Sequence, residues 1–223
     1  MIDINSHAPH LRIIVRGDLW QTGAASTYPE FRTERNMNNP VAFWHEEHAN
    51  FAKLLNLLEG QLNLFHRSQT PNYALMLDIM CYMSHYPDLL HHPREDLAFE
   101  IVKQRIPALG GLVDELMAEH TVAVQNSTQL VSDLDSVVNG AILPRATVES
   151  PGREYIAHFR HHMAREEADL FPVVAKTLTA HDWEVVNSAV KSVADPLFGA
   201  NALQQYEALR REILGQVSVA MEI

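Results

Sequence analysis

The stretch PGREYIAHFRHHMAREEADLFP, residues 151–172, decides how the rest of the chain is read. Tyr155, Phe159, His162, Glu166 and Leu170 recur three or four residues apart, the spacing of one face of an α-helix. Ser150-Pro151 ahead of them predicts a cap with proline at the first helical position. Three members of the stripe are apolar, as a core-facing surface requires. The other two, His162 and Glu166, stand four apart and so one turn above each other. An imidazole and a carboxylate thus point at one place in an interior where an unpartnered carboxylate costs several kcal/mol.

The same pair occurs upstream. His91-His92-Pro93-Arg94-Glu95 sets His91 four residues before Glu95, on a helix predicted from Thr70-Pro71 through Leu75, Ile79, Met83 and Leu90 toward Ile106. Pro87 and Pro93 interrupt that helix, and a kink or a break and restart is expected near Tyr86-Pro87. Two further helices each place one histidine on an apolar stripe. The first, from Val41, carries Trp44, His48, Phe51, Leu55, Leu58 and Leu62; the third, about Leu112 to Val138, carries Val113, Leu116, His120, Val124, Leu130, Leu134 and Val137. Asn139-Gly140 closes the third helix with residues that tolerate the left-handed region. Four amphipathic helices with short connections predict an all-α, up-down-up-down bundle over residues 41–178. An irregular N-terminal arm, residues 1–40 with one apolar stretch at Leu11–Val15, precedes it. Extra helices near 180–194 and 200–216, parted by Asp195-Pro196, form a C-terminal extension over 179–223.

Every helix of the bundle therefore offers a donor: His48, His91 with Glu95, His120, and His162 with Glu166. Four imidazoles and two carboxylates suffice for two metal ions bridged by the glutamates. Mixed imidazole and carboxylate ligation with open positions suits iron, and also admits manganese or zinc. His45 competes with His48, which better continues the Phe51-Leu55-Leu58 stripe. His92 and His161 fall about 100° round their helices from the proposed ligands, a surface or supporting position. His158, one turn before His162, is a candidate additional imidazole. His45, His158, Glu47 and Glu119 could each support a ligating imidazole from behind, though singly each reads as solvated; Met76, Met80, Met83 and Met117 read as core fillers, and Tyr82, Tyr86 and Tyr155 as packing residues. Cys81 reads as a core thiol.

Composition narrows the classes. With 17 Lys and Arg against 28 Asp and Glu, the formal charge is −11, and no basic cluster offers itself to nucleic acid. No apolar run reaches the roughly 18 residues of a membrane helix. The first residues lack the basic and apolar regions of a secretory signal, which predicts a cytoplasmic protein. A single cysteine excludes an internal disulfide framework. The unusual count is histidine: 13, of which ten fall between His45 and His162.

Taken in order, Glu47-His48-Ala49-Asn50, His91-His92-Pro93-Arg94-Glu95-Asp96, Glu119-His120 and the 162–172 segment resemble the hemerythrin-like, or HHE cation-binding, family across roughly residues 41–178. The resemblance implies a non-haem di-iron centre with oxo or hydroxo and carboxylate bridges, in contact with dioxygen, nitric oxide or peroxide. Sensing, iron handling and stress response are the roles it suggests. Oxygen-carrying relatives have a second histidine one turn after the third-helix ligand. Here that position is Val124, which implies a more open site. A ferritin-like di-iron oxidase is disfavoured, since it uses paired Glu-x-x-His elements and Met117, Phe159 and His45 stand three before His120, His162 and His48. The alternative from another class is a metal-free or zinc-bearing helical module, with the added segments serving docking or a homodimer.

Overall fold

The computed structural model describes residues 40–190, 194–199 and 203–220, all within one compact unit. The expected arm and its Leu11–Val15 stretch lie outside the described residues, apart from Pro40, which opens the first helix. Helix α1, Pro40–Leu64, begins on a proline whose missing N–H is one of the free donors of a first turn. Its apolar stripe is buried from Val41 and Trp44 to Leu58 and Leu62. A 3-10 turn, Phe65–Arg67, ends it, and Ser68 follows at φ 55°.

Helix α2, Tyr73–Met83, starts two residues later than Thr70-Pro71 suggests. Asn72 is the cap: its side chain accepts from the Leu75 amide at 3.0 Å, while its own amide donates to Gln61 Oε1 of α1 at 2.8 Å. The tertiary bond to Gln61 sets the boundary. The expected break is present: α2 ends at Met83, whose carbonyl Pro87 cannot serve, and a π-turn, Pro87–His91, leads into α3, His92–Arg105.

After the 3-10 turn Pro107–Leu109, helix α4 spans Gly110–Val138 and stops at Asn139 and Gly140, the latter at φ 95°. Helix α5, Arg145–Arg165, starts five residues before the expected Ser150 cap and takes Pro151 into its interior. Its first turn is tied by Arg145 to Glu149 at 2.7 Å and to the Phe65 carbonyl at 2.8 Å, contacts that hold the helix together ahead of the proline. A second π-turn, Glu166–Leu170, joins α5 to α6, Phe171–Thr177. The bundle has four arms, α1, α2 with α3, α4, and α5 with α6; the first packs on the second and fourth, and the third on the second and fourth, closing a ring.

Both π-turns precede a proline. Pro93 and Pro172 cannot donate to Leu89 and Ala168, and in each case the turn gains a residue, with the His92 amide on the Pro87 carbonyl and the Phe171 amide on that of Glu166. The core is correspondingly divided. Phe51, Tyr86, Ala123 and Phe159 belong to one apolar cluster, and Trp44, Phe99, Leu116 and Phe171 to another. Each arm passes from one cluster to the other at the level of its histidines.

Beyond the bundle, Thr179 and Asp182 form a capping box that opens α7, Ala180–Ala189. Arg105 of α3 holds this junction through the Thr177 carbonyl and Asp182, both at 2.7 Å. Asp195 accepts from the Leu197 and Phe198 amides and from the Tyr82 hydroxyl. Helix α8, Glu207–Ala220, then brings Leu209 and Ile213 onto the first apolar cluster, alongside Tyr206 of the preceding turn. No helix among the described residues is long and apolar enough to cross a membrane.

Candidate metal centre

Between the two apolar clusters lies a layer of buried polar side chains. His48, His91, His120 and His162 are each at most 5% exposed, and Glu95 and Glu166 are fully buried at 0%. The four Nε2 atoms point inward. Those of His48 and His91 stand 3.0 Å apart, with Glu95 Oε1 3.6 and 3.0 Å from them and Glu166 Oε2 3.5 Å from His48. His120 Nε2 lies 3.7 Å from Glu95 Oε2 and 3.3 Å from Glu166 Oε1, and His162 Nε2 lies 3.2 Å from Glu166 Oε1. Each glutamate thus presents one oxygen to each histidine pair.

Of these close approaches only His48 Nε2 with His91 Nε2, and His120 Nε2 with Glu166 Oε1, are hydrogen bonds. Both oxygens of Glu95, Glu166 Oε2 and His162 Nε2 are buried without a hydrogen-bond partner. These atoms converge on a shared space rather than on each other, the arrangement a cation satisfies and a protein core otherwise avoids. Among the described residues three donor sets fall within 4.8 Å: His48 with His91 and Glu95; Glu95 with His120 and Glu166; His92 with His120 and His162.

The outer nitrogens follow one rule. Glu47 of the first arm accepts from His91 Nδ1 of the second at 2.9 Å, and Asp96 of the second accepts from His120 Nδ1 of the third at 2.7 Å. Glu119 of the third accepts from His162 Nδ1 of the fourth at 2.9 Å, and Glu167 of the fourth accepts from His48 Nδ1 of the first at 2.9 Å. The ring closes. Each carboxylate is the sequence neighbour of a proposed ligand on its own helix and braces the imidazole of the next. A carboxylate on Nδ1–H fixes the tautomer that leaves the Nε2 lone pair free for a metal. Tyr86 supports Glu47 through its hydroxyl at 2.7 Å, and Arg165 supports Glu119 at 2.6 Å.

The carboxylates favour protonated imidazoles, whose Nε2 protons a metal must displace. Burial alone lowers the pKa of His91, but the Glu95 and Glu47 carboxylates outweigh it and lift it to about 10. Burial likewise opposes the charge of His120, and Asp96 and Glu166 raise its pKa to about 10. Burial also disfavours ionised Glu95, yet His91 and His48 hold it well below the usual carboxylate range. His92 goes the other way: burial and the neighbouring His120 and His91 keep it well below 6.5, a neutral imidazole.

The hemerythrin HHE cation-binding domain model matches residues 39–174. The chain belongs to the hemerythrin HHE cation-binding family. No curated protein matches it. The match spans the arms that carry all six residues proposed from the hemerythrin-like spacing, and the structure brings those six together.

Around these six, some side chains of the hemerythrin domain lie where the sequence puts them and others do not. His92, expected on the surface or behind the ligands, is 3% exposed and stacks on His120 with ring centroids 4.2 Å apart. It follows directly on the π-turn, and His91 and His92 are both buried between the arms. His158 belongs to none of the donor sets; its Nε2 bonds the Glu119 carbonyl at 3.1 Å. His45 has a side chain 47% exposed, with Nδ1 3.5 Å from Glu167. Glu47, read as solvated, is 3% exposed. Glu119 is partly buried and, like Glu47, bound to a histidine. Asp96 and Glu167 drew no attention in the sequence, although a carboxylate next to each proposed ligand was a usable signal. Cys81 is partly buried, and burial pushes its thiol up to about 11, an unreactive state.

Proposed function

We propose that this hemerythrin HHE domain holds two iron ions, one beside His48 and His91 and the other beside His120 and His162, with Glu95 and Glu166 spanning both. We further propose that the pair meets dioxygen, nitric oxide or peroxide, in sensing, iron handling or stress response. The observation that carries the reading is the division of both glutamates, one oxygen toward each histidine pair. A single ion leaves half of those oxygens unpartnered in the core; two ions satisfy them.

Iron suits this donor set because imidazole and carboxylate ligate it in mixed shells with open positions. Manganese and zinc share the donor preferences and are separated by the test. Bound there, a redox-active pair supplies electron exchange with a small oxidant. The chain itself orients four imidazoles through the carboxylate ring, balances the charge of the ions with two glutamates, and keeps bulk water out with apolar clusters on either side.

Iron analysis with an optical spectrum of aerobically purified protein tests this. About two irons per chain are expected, with absorption bands of a bridged ferric pair that disappear in His91→Ala and Glu166→Ala. Metal content well below two per chain after supplying iron overturns the reading. Stoichiometric capture of a small oxidant then indicates sensing or storage, and sustained consumption indicates an enzyme.

A further inference from the structure

The first apolar cluster holds a pair of phenols that packing alone does not account for. Tyr82 and Tyr86 are buried, with their rings stacked at 12° and centroids 5.5 Å apart. A buried hydroxyl needs one acceptor, and a backbone carbonyl is enough. Both of these have a carboxylate instead. Tyr86 donates to Glu47 at 2.7 Å, and Glu47 also holds His91 Nδ1 at 2.9 Å. Tyr82 donates to Asp195 at 2.9 Å. Asp195 comes from beyond the hemerythrin domain, in the C-terminal extension, and is itself half-buried. Phe198 and Tyr206 of the same extension meet the Tyr82 ring edge-on and close it off from solvent. Contacts thus run without a gap from His91 through Glu47 and the two stacked phenols to Asp195.

We propose that Tyr82 and Tyr86 form a one-electron relay, in which Tyr82 is the phenol that the centre oxidises and Asp195 is the base that receives its proton. The inference rests on the dimetal reading above. Hydrogen peroxide needs two electrons and two protons to become two waters. With one iron(II) and one iron(III) at the centre, the iron(II) supplies one electron and Tyr82 the other, and the two protons come from solvent. Tyr86 is oxidised first and lends its phenolic proton to Glu47. It then takes an electron from Tyr82 and its own proton back from Glu47, so it ends unchanged. Tyr82 ends as a neutral phenoxyl radical with its O–H proton on Asp195. Burial, and then the Asp195 carboxylate, push the Tyr82 pKa far above its ordinary 10, so the proton leaves only with the electron. Burial also raises the pKa of Asp195 above its ordinary 3.8, which favours the proton it receives. The C-terminal extension thereby supplies both the base and the walls of the radical site.

Freeze-quench electron paramagnetic resonance of the full chain tests this, with two irons bound and half-reduced by dithionite before one equivalent of hydrogen peroxide is added. A tyrosyl radical is expected, with a hyperfine pattern that collapses when the chain carries ring-deuterated tyrosine. Tyr82→Phe keeps the stacked ring and is expected to lower the radical yield about tenfold or more. Asp195→Asn keeps a hydrogen-bond acceptor but removes the base, and a loss of about the same tenfold is expected. Tyr206→Phe is expected to leave the yield unchanged; loss of the signal there moves the radical to Tyr206 and overturns the assignment. Wild-type protein that binds two irons and gives no tyrosyl radical overturns the relay, as does an undiminished signal in Tyr82→Phe. If Tyr82→Phe fails to fold, Asp195→Asn decides, and a wild-type yield there overturns the proposal. Fewer than two irons per chain after supplying iron removes the dimetal reading and this inference with it.

Discussion

At the scale of single residues, the carboxylates behind the imidazoles are the parts most open to test. Glu47 bonds both His91 Nδ1 and the Tyr86 hydroxyl, and it is almost fully buried. In Glu47→Ala, His91 loses the group that fixes its tautomer, and the ring is free to turn. Metal affinity is expected to fall about 10- to 100-fold, measured by chelator competition, with the fold retained by circular dichroism. Glu47→Gln is the milder change: its amide oxygen still accepts from Nδ1, so a smaller loss is expected. Equal affinity in Glu47→Ala and wild type removes the orienting role.

At the scale of elements, the prolines after the two π-turns and the clasp on α7 matter most. Pro93→Ala restores an N–H opposite the Leu89 carbonyl and permits a regular helix through residues 87–93. The melting temperature of the metal-free protein is expected not to fall, while metal affinity drops about tenfold or more because His91 and Glu95 lose their register against α2. Unchanged affinity shows that the register does not depend on the proline. Helix α7 depends on a different contact. Arg105, with Thr179, holds the pKa of Asp182 below its ordinary 3.8. A depressed carboxylate stabilises the fold fully above its unfolded pKa, and that contribution is lost as pH falls through the lower folded value. Metal-free Arg105→Ala is therefore expected to melt below wild type at neutral pH, and the gap is expected to shrink as the pH falls below about 3.8. A gap that widens in acid contradicts the assignment.

The whole molecule is organised as two apolar clusters separated by a charged layer. Such a layer is costly when its carboxylates lack partners, and four helices contribute to it at one level. Binding of an ion therefore acts on the stability of the entire bundle. Free metal at about 100 times its Kd is expected to add roughly 2.7 kcal/mol per site, read as a rise in melting temperature that a chelator reverses. The added segments share in this core as well. Tyr206, Leu209 and Ile213 lie on the same cluster as Phe51 and Phe159, so the C-terminal helices cover the bundle rather than only follow it. Truncation after residue 178 is expected to lower the melting temperature by several degrees, whereas a purely appended extension leaves it unchanged.

The sequence alone determined the four arms, their order and the six inward candidate donors, because helical period is a local property that places residues four apart on one face. The break at Pro87 was legible for the same reason, a missing N–H. Only the tertiary structure decided the start of α2 at Asn72, held by Gln61, and the start of α5 at Arg145, held by Phe65 and Glu149. It alone showed the ring of carboxylates, since Glu47, Asp96, Glu119 and Glu167 each serve a histidine on a different helix, and no spacing along one helix records a partner on another. His92 escaped for a subtler reason: a helix of 3.6 residues per turn puts it about 100° from His91, and only packing against the other helices decides that both of those faces are buried.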